Sequence, residues 1–210
     1  MSARPSYLGA VLAGGESRRF GRDKAAEPVG GVPLAARAAA TLSLVLPEVV
    51  VVSSREPPAG ATLRHLRDLR EGCGPLGAIE AALARAADAG LDGVFVLACD
   101  LPLVGADVIR AVLAGLGGAS ACAPARDGEP ACEPLCAAYR ASCLGPAGAL
   151  LDRGARAAHE LFAAVGGVTV ELPAGAFLNV NTPADRDRAE RRLARAAALG
   201  ATLPASRVGP

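Results

Sequence analysis

Three short runs, LGAVLA at 8–13, EVVVVSS at 48–54 and GVFVLACD at 93–100, carry apolar residues at four or more successive positions rather than at every second one. A strand with apolar side chains on both faces must be covered on both faces. That is the condition of a parallel sheet packed between helices, not of a sheet with one wet side. The intervening segments supply the cover. An Ala-rich stretch at 34–46 and the stretch at 76–89 repeat their apolar residues at helical spacing. The first two runs and the helix between them then form a right-handed βαβ unit, and the expected fold class is α/β.

The rest of the chain continues the alternation. A short strand is expected near 62–66, a helix at 106–116, and strands at 119–125 and 133–139 around the turn-like RDGEP. Helices follow at 141–151 and 155–165, then a strand at 168–172. Thr182, Pro183 and Asp185 read as the N-cap, first-turn proline and third-position acid of an Arg/Ala-rich helix that runs to about Leu199. The terminal GATLPASRVGP has neither periodicity nor apolar density. The chain's 210 residues suffice for one packed domain and are short for two, so residues 1–200 are expected to form one domain and 201–210 a flexible tail.

Charge narrows the function classes. With 22 basic and 21 acidic residues the net charge is +1, so no global field would recruit nucleic acid or an anionic membrane. No apolar stretch reaches the roughly 18 residues of a membrane span, because Pro47 and Glu48 interrupt the longest. A cytoplasmic protein is expected. The six cysteines form no C-x-x-C pair and have no histidine at zinc-finger spacing; they read as small buried hydrophobes, with Cys132 and Cys136 as the one alternative metal pair.

Any cationic site must therefore be local, and one stretch supplies it. Directly behind the first apolar run stands LAGGESRRFGRDK, residues 12–24, with Gly14, Gly15 and Gly21 among three arginines and a lysine. A loop that leaves a parallel strand for a helix presents unpaired backbone N–H groups, and glycines let a polyphosphate approach them. The Walker pattern is absent, since Arg22 and Asp23 follow Gly21, and the dinucleotide fingerprint fails at Glu16. Lys24 is the only lysine beside 21 arginines, which singles it out as a compact phosphate-binding ammonium rather than a solvated surface charge. Asp100, at the carboxyl end of a buried strand, can hold a divalent ion against phosphates; the alternative is a cap on the next turn. Asn179 and Asn181 are the only asparagines, two apart in NVN, and serve either a ligand or the turn ahead of Thr182. His65 and His159 fall outside every motif and read as solvated or core residues.

Taken in order, LAGGxSxRxGxDK, GPLGAI (74–79), ACDLP (98–102) and FLNVNTPAD (177–185) resemble the molybdenum cofactor guanylyltransferases, relatives of the nucleotide-sugar pyrophosphorylases. The resemblance implies a three-layer α/β/α, Rossmann-like nucleotidyltransferase fold with a mainly parallel, mixed central sheet. It implies Mg²⁺, GTP as donor and molybdenum-loaded molybdopterin as acceptor, with cofactor-insertion or molybdoenzyme maturation proteins as further partners. Carried over residue by residue, Leu12, Ala13, Gly14 and Gly15 line the nucleotide, and Arg19 and Lys24 meet its phosphates. Ser53 and Asp68 contact the guanosine, Gly74, Pro75 and Leu76 border the same pocket, and Asp100 takes the metal. Arg156 aligns with an acceptor-contacting arginine, joined on that side by Asn179 and Asn181. Ala157 and Ala158 replace the common Ser-Leu after it, and Phe20 stands where Met is usual.

The chemistry suits these residue types. An acceptor phosphate oxygen is already an anion at pH 7, so attack on the α-phosphorus requires no general base. Alignment of two anions and neutralisation of charge on the leaving pyrophosphate are what catalysis demands. Three alternatives remain at this level: a cytidylyltransferase on the same cofactor, a transferase for another phosphorylated acceptor such as cobinamide phosphate, and a non-catalytic nucleotide carrier. Gly14 and Gly15 favour guanine, since cytidine-using relatives tend to have AAG at LAGG.

Overall fold

A computed structural model describes residues 6–13, 24–54, 64–70, 72–125 and 132–198. In chain order its elements are β1 (Tyr7–Leu12), β2 (Pro28–Val29), β3 (Val32–Pro33), α1 (Leu34–Ser43), β4 (Glu48–Ser53), β5 (Arg64–Arg67), α2 (Gly74–Asp88) and β6 (Gly93–Ala98). There follow α3 (Ala106–Gly115), β7 (Ala121–Pro124), β8 (Cys136–Arg140), α4 (Leu144–Asp152), α5 (Ala158–Ala164), β9 (Val168–Val170) and α6 (Pro183–Ala198). Seven strands make one sheet in the order β5-β4-β1-β6-β8-β7-β9. All pair parallel except β8, which runs against both β6 and β7. The sheet is mixed and mainly parallel, as the apolar runs require.

Alternation along the strands divides the core into two layers. Tyr7 and Val11 of β1, with Phe95 and Leu97 of β6, pack with α1, α3 and the segment around Phe177 and Val180. Leu8, Ala10 and Leu12, with Val94 and Val96, pack on the other face with α2, α4 and α5. Both faces of β1 and β6 are closed, which is why every residue of these strands is buried. Each fully buried Leu, Val or Phe contributes about 1.5–3 kcal/mol of transfer free energy, so the central pair of strands is the stable platform of the molecule.

Several boundaries differ from the sequence expectation for physical reasons. Helix α1 stops at Ser43, short of 46, because Leu46 precedes Pro47 and is biased out of helical geometry; its N–H still reaches the Leu42 carbonyl at 2.8 Å. Helix α2 starts two residues early, at a left-handed Gly74 followed by Pro75 in the first turn. Strand β6 ends at Ala98, so Asp100 lies in the turn beyond it instead of closing the strand. The expected helix at 141–151 begins as a 3-10 turn over Ala141–Cys143 before α4. The small hairpin β2–β3 was not expected. Gly30 and Gly31, both at positive φ, form its two-residue turn, the geometry that favours Gly-Gly between valines. Thr182 does cap α6, and Pro183 is its first residue. The tail at 201–210 lies outside the described residues.

Gly93 opens β6 where it pairs with Tyr7 on one side and Arg140 on the other. A Cβ there would lie 2.2 Å from the Tyr139 carbonyl oxygen, a backbone atom that cannot swing aside. Gly93→Ala is expected to cost about 3 kcal/mol in urea unfolding; a loss under about 0.5 kcal/mol would contradict this packing.

Candidate active site

The chain leaves β1 for β4 on one side through α1, and returns from β5 through α2 to β6 on the other side of β1. Strand order therefore reverses between β1 and β6, and open α/β sheets take their ligands at the carboxyl ends of such a switch point. Lys24, beyond β1, and Asp100, beyond β6, meet above this crevice. The Lys24 Nζ donates to Asp100 Oδ2 at 2.7 Å and to the Asn181 side-chain oxygen at 2.6 Å. Their side chains are 19% and 23% exposed, so the ion pair is sheltered yet open to a ligand. Charge-assisted bonds of this kind contribute on the order of 1.5–3 kcal/mol, enough to fix a flexible lysine stem.

Each member is held by its backbone. The Asp100 carbonyl accepts the Val180 N–H at 2.9 Å, which ties the turn after β6 to the NVN segment. Val180 is fully buried and anchors that segment in the core, leaving Asn179 half-buried and Asn181 exposed beside it. The Asn181 N–H donates to Asp185 Oδ2 at 3.1 Å, the Thr182 hydroxyl to the same oxygen at 2.8 Å, and the Asp185 N–H back to Thr182 Oγ1 at 3.2 Å. This reciprocal cap fixes both the start of α6 and the asparagine that precedes it.

Those of the other expected nucleotide residues that are described stand at the same end of the sheet. Leu12 is buried, its carbonyl accepting the Cys99 N–H at 3.2 Å, and the half-buried Ala13 donates to the Val52 carbonyl at 3.0 Å. Gly14, Gly15 and Arg19 lie outside the described residues. Ser53 ends β4, and its hydroxyl meets His65 Nε2 at 3.0 Å, so His65 is neither a solvated nor a plain core residue. Sequence reasoning missed this bond because nothing local pairs the two strands in that register. Asp68 follows β5. Among the described residues its Oδ1 is buried without a hydrogen-bond partner, and burial pushes the carboxyl above its ordinary range, with His65 opposing.

Gly74 and Pro75 are exposed at the mouth of α2, whereas Leu76 points into the core at 0% exposure. A Cβ on Gly74, at φ +61°, would come within 2.8 Å of the Arg156 carbonyl oxygen, which accepts the Leu76 N–H at 3.1 Å. Arg156 thus abuts the expected pocket through its main chain. Its guanidinium donates to the Leu151 and Ala155 carbonyls at 3.4 and 2.7 Å.

Among the described residues, no group of three or more His, Cys, Asp or Glu side chains converges as a metal cage. The donors present are one carboxylate, Asp100, and one amide oxygen, Asn181. Hard oxygen donors in that number fit a cation such as Mg²⁺, which keeps waters and takes most of its remaining ligands from substrate phosphates. All six cysteines are in the thiol form, outside any disulfide, and Cys99, Cys122, Cys136 and Cys143 are buried. No described helix is long and apolar enough to cross a membrane.

A mixed sheet with helices on both faces and a lysine–aspartate pair at its switch point is suited to holding a nucleotide. Residues 9–167 match the family model for the MobA-like NTP transferase domain, and the chain belongs to this family. It is 39% identical over 206 residues to the probable molybdenum cofactor guanylyltransferase of Opitutus terrae, covering 91% of this chain and 99% of that protein. It is 35% identical to the molybdenum cofactor guanylyltransferase of Rhodobacter capsulatus, covering 88% and 95%. The crystal structure of molybdopterin-guanine dinucleotide biosynthesis protein A from Archaeoglobus fulgidus superposes with a TM-score of 0.74 at 25% identity, covering 90% of this chain and 99% of that one.

The cap around Asn181 carries a pH signature. The Thr182 hydroxyl first, then the Asn181 N–H and Arg188, hold the Asp185 carboxyl below its ordinary value. A depressed folded-state value means that stability from these bonds is present above about pH 4 and is lost as pH falls through the lowered value. The difference in melting temperature between the native chain and Asp185→Ala should therefore shrink on acidification below about pH 4. A difference independent of pH would contradict the cap's ionic character.

Proposed function

We propose that this chain, through one nucleotidyltransferase domain spanning residues 1–200, transfers GMP from GTP to molybdenum-loaded molybdopterin. The products are the guanine dinucleotide form of the cofactor and pyrophosphate. The observation that carries the reading is the Lys24–Asp100–Asn181 junction at the switch point, in a chain related over nearly its whole length to molybdenum cofactor guanylyltransferases.

The acceptor's phosphate oxygen, anionic at pH 7, attacks the α-phosphorus of GTP. A new P–O bond forms as the bond to the β-phosphate oxygen breaks, its electron pair leaving with pyrophosphate. The protein aligns the two anions and neutralises the charge that builds on the departing group. Lys24 and Arg19 supply positive charge to the phosphates, and Leu12, Ala13, Gly14 and Gly15 contact the nucleotide. Asp100 and the Asn181 amide oxygen would hold Mg²⁺, which supplies Lewis-acid polarisation of the phosphates when bound. In the nucleotide-free chain Lys24 serves as the counter-ion of Asp100, so the carboxylate is never a lone half-buried charge.

Base choice is assigned to the β4–β5 edge. Guanine offers two adjacent donors, N1–H and the 2-amino group, where adenine and cytosine each present an acceptor beside an amino group. A sheltered carboxylate oxygen at Asp68 with no hydrogen-bond partner among the described residues suits that pair of donors, and Ser53 adds a hydroxyl on the neighbouring strand. Gly74 and Pro75 border the pocket. The acceptor lies across Asn179, Asn181 and the Arg156 segment, and the product passes to cofactor-insertion or molybdoenzyme maturation proteins. Cysteines in the thiol form suit a reducing compartment, which supports the cytoplasm as the site of the reaction.

Incubation with GTP, Mg²⁺ and molybdenum-loaded molybdopterin should yield the dinucleotide and pyrophosphate in equal amounts. Asp100→Ala should lower turnover by about 100-fold or more in a folded protein; near-native turnover in that variant contradicts the assignment. Asp68→Asn should bring the affinities for GTP and ITP, which lacks the 2-amino group, to within about threefold. Undiminished preference for GTP would remove Asp68 from base recognition.

A further inference from the structure

Glu27 is the most buried of the three buried acidic side chains among the described residues, at 2% exposure, and stands three residues after Lys24. Its N–H donates to the Lys24 carbonyl at 3.1 Å, and its own carbonyl accepts the Leu34 N–H at 3.0 Å, which locks the turn carrying Lys24 onto the start of α1. Its carboxylate accepts from Arg186 Nη1 at 3.2 Å, across 159 residues of sequence. Arg186 belongs to the first turns of α6, its N–H bonded to the Thr182 carbonyl at 3.1 Å. The neighbouring Asp185 holds Asn181, one of the two acceptors of the Lys24 ammonium. A second tie runs parallel: the Gly30 N–H in the β2–β3 turn donates to Glu190 Oε1 at 2.9 Å.

We propose that Glu27 and Arg186 form a positioning pair that sets the Lys24 ammonium between Asp100 and Asn181, ready for a triphosphate. The inference rests on Lys24 being a phosphate-binding group. A lysine carries its charge on a flexible four-carbon stem, so the site of the ammonium depends on where the main chain beneath it is held. The Glu27–Arg186 pair joins the two backbone segments that converge on that ammonium, one from the loop after β1 and one from the cap of α6. Stability alone is a poor reason for the pair, because Arg186 is 32% exposed and a pair this open to water gains little beyond what desolvating Glu27 costs. What it contributes is register between the lysine and its acceptors.

The test compares Glu27→Gln/Arg186→Met with the native chain, so that neither member of the pair is left charged without the other. Equilibrium GTP binding, kcat and KM for GTP, and melting temperature are measured in the native and Lys24→Ala backgrounds. The pair variant, folded, should bind GTP about tenfold more weakly, as loss of a supporting shell does elsewhere. It should add nothing once Lys24 is already Ala. Native affinity in the folded pair variant overturns the proposal, as does an equal loss in both backgrounds, which would mark a role independent of the lysine. If Lys24→Ala alone binds GTP normally, the phosphate-binding reading of Lys24 fails instead. Should the pair variant not fold, Glu190→Ala removes the second tie at the helix surface; about a threefold loss, again absent in the Lys24→Ala background, supports the proposal, and no loss overturns it.

Discussion

The ammonium of Lys24, shared at 2.7 and 2.6 Å between Asp100 and Asn181, is where the whole architecture converges. Three segments that are distant in sequence end within one hydrogen bond of each other there. One follows β1, one follows β6, and one precedes α6. The fold can bring them together because β1 and β6 are adjacent, parallel and buried on both faces, so their carboxyl ends are fixed relative to one another. The third segment is held from the core side by Val180 and from the helix side by the Thr182–Asp185 cap. A charged group in such a junction needs no large motion to meet a polyphosphate, which is the condition for electrostatic preorganisation.

The opposite face of the same crevice is built with different chemistry. Toward β4 and β5 the charged pair gives way to a hydroxyl, an imidazole and a carboxylate: Ser53, His65 and Asp68. In the proposed function the charged pair takes a nucleotide's phosphates and the β4–β5 side its base. The main chain around Gly74 and Arg156 closes the groove on the α2 side, where only glycine tolerates both the left-handed backbone and the approach of the Arg156 carbonyl.

Much of this was legible in the sequence because burial on both faces leaves a strong mark. LGAVLA, EVVVVSS and GVFVLACD could be placed as inner strands, and Thr182, Pro183 and Asp185 as a helix start, from local chemistry alone. Lys24 and Asp100 stood out by rarity and by position at a strand end. What escaped were contacts between residues far apart. The Glu27–Arg186 pair spans 159 residues, and the Ser53–His65 bond depends on the register of β4 against β5. The β2–β3 hairpin was a miss of a different kind. Its Gly30-Gly31 signal is present in the chain, but so short a strand pair has no periodicity to reinforce it.

Because Lys24 is the chain's single lysine, selective ¹⁵N-lysine labelling gives one side-chain ammonium resonance, a direct report on the central junction. Addition of GTP should shift that resonance as the ammonium exchanges its carboxylate partner for phosphate oxygens, and ATP or CTP at equal concentration should shift it far less. A resonance that GTP leaves unmoved would contradict the account.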